Sequence, residues 1–576
     1  MTEQQNKRKP SEEKPWLSFY DSIPDVKEIN QTLDQYVWSR VDSYMDDTAL
    51  EFMGAKLSFR EVKENVEKAT QSLAAMGLKK GDIAIICSVT TPEIVYLFYA
   101  MNRLGVVINM VDPRTSSEGI HEYIEEVDAR FVVTLDLFYE KVSEAIKGTK
   151  VNKLLSISPA ESLSTVKKAI FNLTNKIKVN YDAVTLSWKS FMEKGVSFAG
   201  TIEAATDPEA TAFLFHTGGT TGNPKCVMLS SRALNAVALQ FAHLGRVEGT
   251  EGVFLNVMPS FIAYGFALGI HLTLSVGVTS VIIPKIEPEM IAGLIKKYKP
   301  AYMAGVPLHY VTMMKDEKLR NEDLSYLKIT GCGGDSINET DEALVNEFFK
   351  KHNVPYPVWK GYGLTEVSSA ATNNAFNHNK LGSIGYPLCL TTIGIFRPGT
   401  DEELGYNEEG EICIQGPTMM NGYYNKPEET AMAMQKHSDG KVWVHSGDIG
   451  TIDEDGFVYI KSRIKRVIVR HDGFKVYATT IENVASQNED VEACAAVGIK
   501  DKDRAHGNLP VIFIVKKEGS KTSDEDFKKN VKALCDKMLP EYVTPVAYYP
   551  ISKLPYTAIS KVNYKILEEI ARGFGY

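Results

Sequence analysis

The chain has 576 residues, 44% of them hydrophobic and 24% charged, with a mean hydropathy of −0.17. That length predicts several packed domains, and apolar residues recurring throughout exclude bulk disorder. Sixty-four basic against 73 acidic residues leave a net charge of −9, which excludes a broad basic field for nucleic acid.

Seven cysteines are scattered without a C-x-x-C pair, so neither a disulfide framework nor a zinc cassette is expected. This fits a reducing, cytoplasmic setting. Residues 1–15 are polar and carry no apolar run, so they read as a frayed arm and not as a secretory signal. The stretch 254–284 has no charged residue and is long enough to span a bilayer. Pro259, Gly265, Gly269, His271 and Gly277 interrupt it, and it reads as a buried β–α–β crossover with no transmembrane segment.

Short β-branched runs at 83–87, 106–110, 131–135, 213–216, 278–283 and 302–304 alternate with helical spacing at 61–76 and 92–104. The alternation predicts layered α/β subdomains with parallel sheets. From about 394 the texture becomes β-rich: a strand at 411–415, then a hairpin of 450–453 and 457–461 turning at Asp455-Gly456. Beyond 465 a smaller α+β pattern follows, with helices near 524–538 and 562–572. The expected division is a large N-terminal body (16–463) and a small mobile C-terminal lid (464–576).

The segment Thr217-Gly218-Gly219-Thr220-Thr221-Gly222-Asn223-Pro224-Lys225 combines turn-forming glycines, threonine hydroxyls and a lysine. Such a loop suits an oligophosphate, though a solvated Gly/Thr turn has similar composition. It is not a Walker A loop: two residues separate Gly222 from Lys225, and Cys226 follows the lysine. A strand is expected at 226–229, then a helix capped by Ser230 or Ser231, so the loop joins two strands as a flap.

This loop resembles the phosphate-binding signature of the adenylate-forming (AMP-binding) superfamily, which includes acyl-CoA synthetases. Further blocks follow in that family's order across roughly residues 50–570. Gly333-Gly334-Asp335 resembles the glycine turn at adenine. Gly361-Tyr362-Gly363-Leu364-Thr365-Glu366 is similar to the block in which the aromatic stacks on adenine and the acid holds Mg²⁺. Trp443-Val444-His445-Ser446-Gly447-Asp448 resembles the ribose-aspartate block. Ser462-Arg463-Ile464-Lys465 resembles the hinge block, and Pro555-Tyr556-Thr557-Ala558-Ile559-Ser560-Lys561 the terminal lysine block.

The resemblance implies ATP-dependent activation of a carboxylic acid to acyl-AMP, then transfer to the thiol of coenzyme A; a carrier-protein thiol is the alternative acceptor. Both reactants of the first step are anionic, so fixed positive charge is needed where they meet. The resemblance assigns that charge to Lys561, with Lys225 and Arg463 as further donors. Glu366 and Thr217 would hold Mg²⁺, a hard ion suited to oxygen ligands. Asp448 would take the ribose hydroxyls. Nucleotide contacts are also expected from Gly218 to Gly222, Gly333, Gly334, Asp335, Tyr362, Gly363 and Thr365. Gly473, Phe474 and Lys475 resemble the strip beside coenzyme A, and Lys465 the pivot of an alternating lid.

The expected acyl pocket, Phe261, Ile262, Tyr264, Met303, Ala304 and Val306, carries no charge. An amino-acid substrate would leave its ammonium unpaired there, so an apolar fatty or aryl acid is favoured. Departures from the family pattern are Gly218 for serine, Cys226 and Ser560 for glycines, Thr480 for the first acid of an Ala-Glu-Ile-Glu run (here Thr479-Thr480-Ile481-Glu482), and Ile262 for histidine. They keep a non-catalytic nucleotide-binding homologue as a second class.

Overall fold

Capping and periodicity explain the first long elements. Ser58 and Glu61 form a reciprocal capping box at the helix Phe59–Ala75, which buries Phe59, Val62, Val66, Ala69 and Leu73 on one face. The helix Pro92–Leu104 begins on a proline and stops at Gly105 in the left-handed region, φ 72°. Nearly all its residues are buried, as expected of a helix between two layers.

The computed structural model describes residues 8–175, 177–217, 224–247, 249, 252–472, 474–502, 504, 507–556 and 562–573. Among these, eight strands form one sheet, in the order Gly422–Tyr423, Cys226–Ser230, Thr211–His216, Val107–Val111, Ile83–Cys87, Phe131–Leu135, Lys153–Ile157 and Thr185–Ser187. Its core pairings are parallel, and Cys226–Ser230 returns antiparallel to Thr211–His216. A nine-stranded sheet has a parallel centre running through Thr279–Ile282, Val253–Asn256, Tyr302–Gly305, Ile329–Cys332 and Trp359–Tyr362. This is the layered α/β body expected from the alternating pattern.

The charge-free stretch is the buried crossover that its breakers imply. Strands Val253–Asn256 and Thr279–Ile282 pair in parallel, and a helical run from Ala263 to Ser275 connects them. Its middle, Ala267–Leu272, is a wide π turn. The freed Gly269 carbonyl accepts from Asn256 Nδ2 (3.1 Å), Thr273 Oγ1 (3.1 Å) and Ser280 Oγ (2.7 Å). Among the described residues no helix is long and apolar enough to cross a membrane.

A third sheet carries Thr392–Phe396, Gly410–Gln415, Val442–Ile452, Met434–Lys436 and Val458–Arg463. The expected strand at 450–453 is the end of an eleven-residue strand, Val442–Ile452. Residues 446–448 bulge within it. After the short 3₁₀ turn Ile464–Arg466, a separate core forms around Val491–Lys500, Asn508–Lys516, Ala547–Ile551 and the helix Asp524–Met538.

The frayed-arm reading fails for residues 9–15. Pro10–Glu13 is helical, Ser11 Oγ donates to Glu403 Oε2 at 2.8 Å, and Trp16 is fully buried. A polar segment is held here by a partner 392 residues away, which local composition does not reveal. Residues 1–7 lie outside the described residues.

Candidate active site

Three of the expected blocks follow the carboxyl ends of strands in the parallel parts of the sheets, where open α/β sheets place their ligands, whereas Asp448 and Arg463 lie on antiparallel strands of the third sheet. Thr211–His216 leads into Thr217, Ile329–Cys332 into Gly333, and Trp359–Tyr362 into Gly363–Glu366. Behind the last of these, Lys360 and Glu342 form a buried ion pair at 2.5 Å that anchors the strand presenting Tyr362.

Thr217 and Lys225 close the neck of the phosphate loop. Thr217 N–H donates to the Lys225 carbonyl (2.9 Å), and Lys225 N–H donates to Thr217 Oγ1 (3.0 Å). The neighbouring His216 is held by Asn109 Oδ1 at 2.8 Å, and burial pushes its pKa down to about 4, so the ring is neutral near pH 7. Gly218, Gly219, Thr220, Thr221 and Gly222 lie outside the described residues.

Lys225 Nζ lies 4.4 Å from the centre of the Tyr423 ring, a cation–π contact. The Tyr423 hydroxyl donates to Glu366 Oε1 at 2.8 Å. Burial and the adjacent carboxylate push the Tyr423 phenol well above its ordinary value. Tyr423 therefore joins the two charged candidates, yet sequence reasoning missed it. Its only signal is a Gly-Tyr-Tyr run on the two-residue strand Gly422–Tyr423, which pairs with Cys226–Ser230 beyond the loop.

Asp448 is buried and takes Tyr362 Oη on Oδ2 at 2.6 Å and Arg463 Nε on Oδ1 at 2.9 Å. Asp448 and Arg463 face each other in the strand register. The three residues thus form one hydrogen-bonded cluster from two separate sheets. Glu411 shapes the bulge that carries Asp448: Oε1 accepts from Gly447 N–H (3.0 Å) and Oε2 from His445 Nδ1 (2.9 Å). His445 Nε2 in turn lies 2.9 Å from His437 Nε2. Glu411→Gln replaces a charged double acceptor by an amide. The Michaelis constant for ATP is expected to rise about tenfold, a loss typical of hydrogen bonds to charged groups, with thermal stability changing little. Steady-state kinetics in varied ATP check this, and an unaltered constant would dismiss Glu411 from positioning Asp448.

Gly333 and Gly334 form an open turn braced from behind. Gly334 has φ +79°, and a Cβ there would meet Val306 Cγ1 at 3.5 Å and Tyr264 Cδ1 at 4.0 Å. Asp335 Oδ1 accepts from Ser336 N–H. Gly363 is required by close approach: a Cβ there would lie 1.9 Å from the Ser369 carbonyl oxygen. Thr365 and Glu366 occupy the short 3₁₀ turn Thr365–Val367 that follows.

An apolar cavity lies beneath this rim. Met303 and Ala304 line it with Leu268, Leu272, Val276, Val278, Ile329 and Gly331, and Trp359 and Asn373 are at its side. Phe261, Ile262, Tyr264 and Val306 do not line it. Phe261 and Ile262 pack into the body core, and Tyr264 Oη donates to the Gly305 carbonyl at 3.3 Å. The lining mixes residues of the helical run 263–275 with strand residues as much as 100 positions away, a set that linear blocks do not mark.

Of the C-terminal candidates, Lys561 and Gly473 lie outside the described residues, as do the side chains of Lys465 and Lys475. Phe474 packs against Tyr542, ring centres 4.8 Å apart and planes tilted by 36°. Tyr556 and Val562 bridge across the segment that contains Lys561. Burial and then the charge of Asp335 raise the Tyr556 phenol.

Fold and site together define a nucleotide-handling enzyme of two parallel-sheet subdomains with a smaller C-terminal unit. Comparison with known proteins gives the family. The AMP-binding enzyme family matches residues 37–424, and the AMP-binding enzyme C-terminal domain matches 480–561. The chain belongs to the AMP-binding enzymes. It is 31% identical to a long-chain-fatty-acid–CoA ligase of Bacillus subtilis (strain 168), over 97% of this chain and 98% of that protein. It is 29% identical to 4-coumarate–CoA ligase 3 of Oryza sativa subsp. japonica, over 89% and 88%. The crystal structure of ATP-bound MatB from Rhodopseudomonas palustris shares the fold, with TM-score 0.81, 20% identity and coverage of 95% and 99%.

Proposed function

We propose that this chain is an AMP-forming acyl-CoA ligase acting on an apolar, fatty carboxylic acid. The observation that carries the acid preference is the aliphatic cavity lined by Leu268, Leu272, Val276, Val278, Met303 and Ile329, which offers a buried alkyl chain apolar surface and no charge. The relative named as a long-chain-fatty-acid–CoA ligase, matched over nearly its full length, supports the same reading.

The residues divide the work by charge. Lys225 and the loop it closes meet the phosphates, Asp448 accepts from the ribose hydroxyls, and Tyr362 and Arg463 fix that carboxylate in place. Glu366 and the Thr217 hydroxyl fit Mg²⁺ by donor type: each offers a hard oxygen, and Tyr423 orients the carboxylate. When bound, the ion would supply charge neutralisation at the phosphates. Lys561 is assigned the carboxylate and α-phosphate, where an oxygen of the acid attacks phosphorus, the bond to pyrophosphate breaks, and acyl-AMP forms. The coenzyme A thiol then attacks the acyl carbon and AMP leaves, with the lid alternating about Lys465.

The test is pyrophosphate release across C2–C18 and aryl acids, with and without coenzyme A. Release without any acid would indicate another nucleotide reaction, and absence of ATP binding would indicate a non-catalytic homologue. The cavity makes a sharper prediction. Gly331→Leu, projecting into it, is expected to lower kcat/KM for a C16 acid at least tenfold while sparing C4 acids, in line with what a few methylenes contribute in an apolar pocket. Parallel losses for both acids would place the acyl chain elsewhere.

A further inference from the structure

The helix Thr165–Thr174 presents its apolar side chains outward. Val166, Ile170 and Leu173 are 70%, 55% and 79% exposed. At 100° per residue these positions fall within an arc of about 60°, a single stripe along the helix. The opposite side is occupied: Phe171 packs against the body core, so the stripe cannot turn inward. Lys167 Nζ donates to the Met53 carbonyl at 2.7 Å, tying the helix to the hairpin tip where Met53 is itself 46% exposed. The patch thus spans two elements, and neither covers the other.

Its charge runs against that of the chain. Residues 164–180 contain four lysines and no acid, whereas the whole chain carries −9. Lys168 is shared with Glu161 at 2.6 Å, but Lys178 is exposed beyond the helix. Beyond the helix, Tyr139 Oη donates to the Asn180 carbonyl at 3.2 Å. An exposed apolar stripe flanked by lysines is the pattern of a helix that lies in the plane of a bilayer, with its apolar side among the acyl chains and its ammonium groups at anionic headgroups.

We infer that Thr165–Thr174, with Met53, is a docking surface for an anionic phospholipid membrane. This stands apart from the acid preference, since vesicle binding is read without turnover. The full chain is expected to sediment with vesicles of phosphatidylglycerol and phosphatidylcholine, and less with phosphatidylcholine alone. The triple variant Val166→Ser, Ile170→Ser, Leu173→Ser should bind at least tenfold more weakly, with unchanged thermal unfolding and unchanged turnover of a short soluble acid. Leu173→Trp, which keeps the apolar character, should give a blue-shifted emission on adding the anionic vesicles. Absence of vesicle binding, equal binding by the triple variant, equal binding to uncharged vesicles, or no emission shift would overturn the inference. A change of sedimentation coefficient on making the triple variant would overturn it too, by assigning the patch to a second copy of the chain.

Discussion

Lys561→Ala is expected to slow acyl-adenylate formation about 100-fold or more, the cost of removing a charged donor from a transition state in which two anions meet. Thioester formation from supplied acyl-adenylate should suffer far less. The residues that flank the segment of this lysine, Tyr556 and Val562, pair with each other across it. Pyrophosphate exchange reads the first step and acyl-CoA production from the adenylate reads the second. Equal losses in both would defeat the alternating lid, because a lysine withdrawn for the second step cannot matter to it.

Gly363→Ala is expected to destabilise the protein by about 3 kcal/mol and to abolish most activity at once. The added methyl would sit 1.9 Å from the Ser369 carbonyl oxygen and 2.5 Å from Ala370 Cα, both backbone atoms of a segment with little room to retreat. Ser368 and Ser369 already hold φ values of 59° and 125°, so displacement would add to existing strain. Glu366 lies on the turn between these points and would move with it. Gly331→Ala is the control: its methyl would find nothing nearer than 3.6 Å, and its cost should stay within about 1 kcal/mol. Chemical denaturation of the two variants tests the contrast. Similar midpoints would show that the 363–369 turn yields more easily than its geometry implies.

Much of the body was legible because its strands are short, β-branched and buried on both faces, a pattern that needs no knowledge of partners. The strands Ile83–Cys87 and Phe131–Leu135 and the helix Pro92–Leu104 stand where the periodicity puts them. The candidate site was legible as ordered blocks, because the glycines and charges of each block are contiguous in sequence, whether at a strand end as in 363–366 or inside a strand as in 446–448. What escaped depended on contacts between distant segments. Tyr423 gains its role only through a two-residue pairing across the phosphate loop. Glu411 acts by filling a bulge in its neighbour, and a bulge has no composition of its own. The cavity wall draws on stretches of chain as far apart as Phe241 and Asn373. Ser11 is held by Glu403 near the other end of the body, so polarity alone misjudged it.

Tyr423 has a consequence for the resting enzyme. Among the described residues no ion pair joins Lys225 to Glu366; the phenol stands between them, its face toward the ammonium and its hydroxyl toward the carboxylate. Opposite charges in direct contact would satisfy one another, and each catalytic cycle would have to pull them apart. The aromatic spacer keeps the two charges apart, so that under the proposed assignment the ammonium stays available to an anion and the carboxylate to a cation.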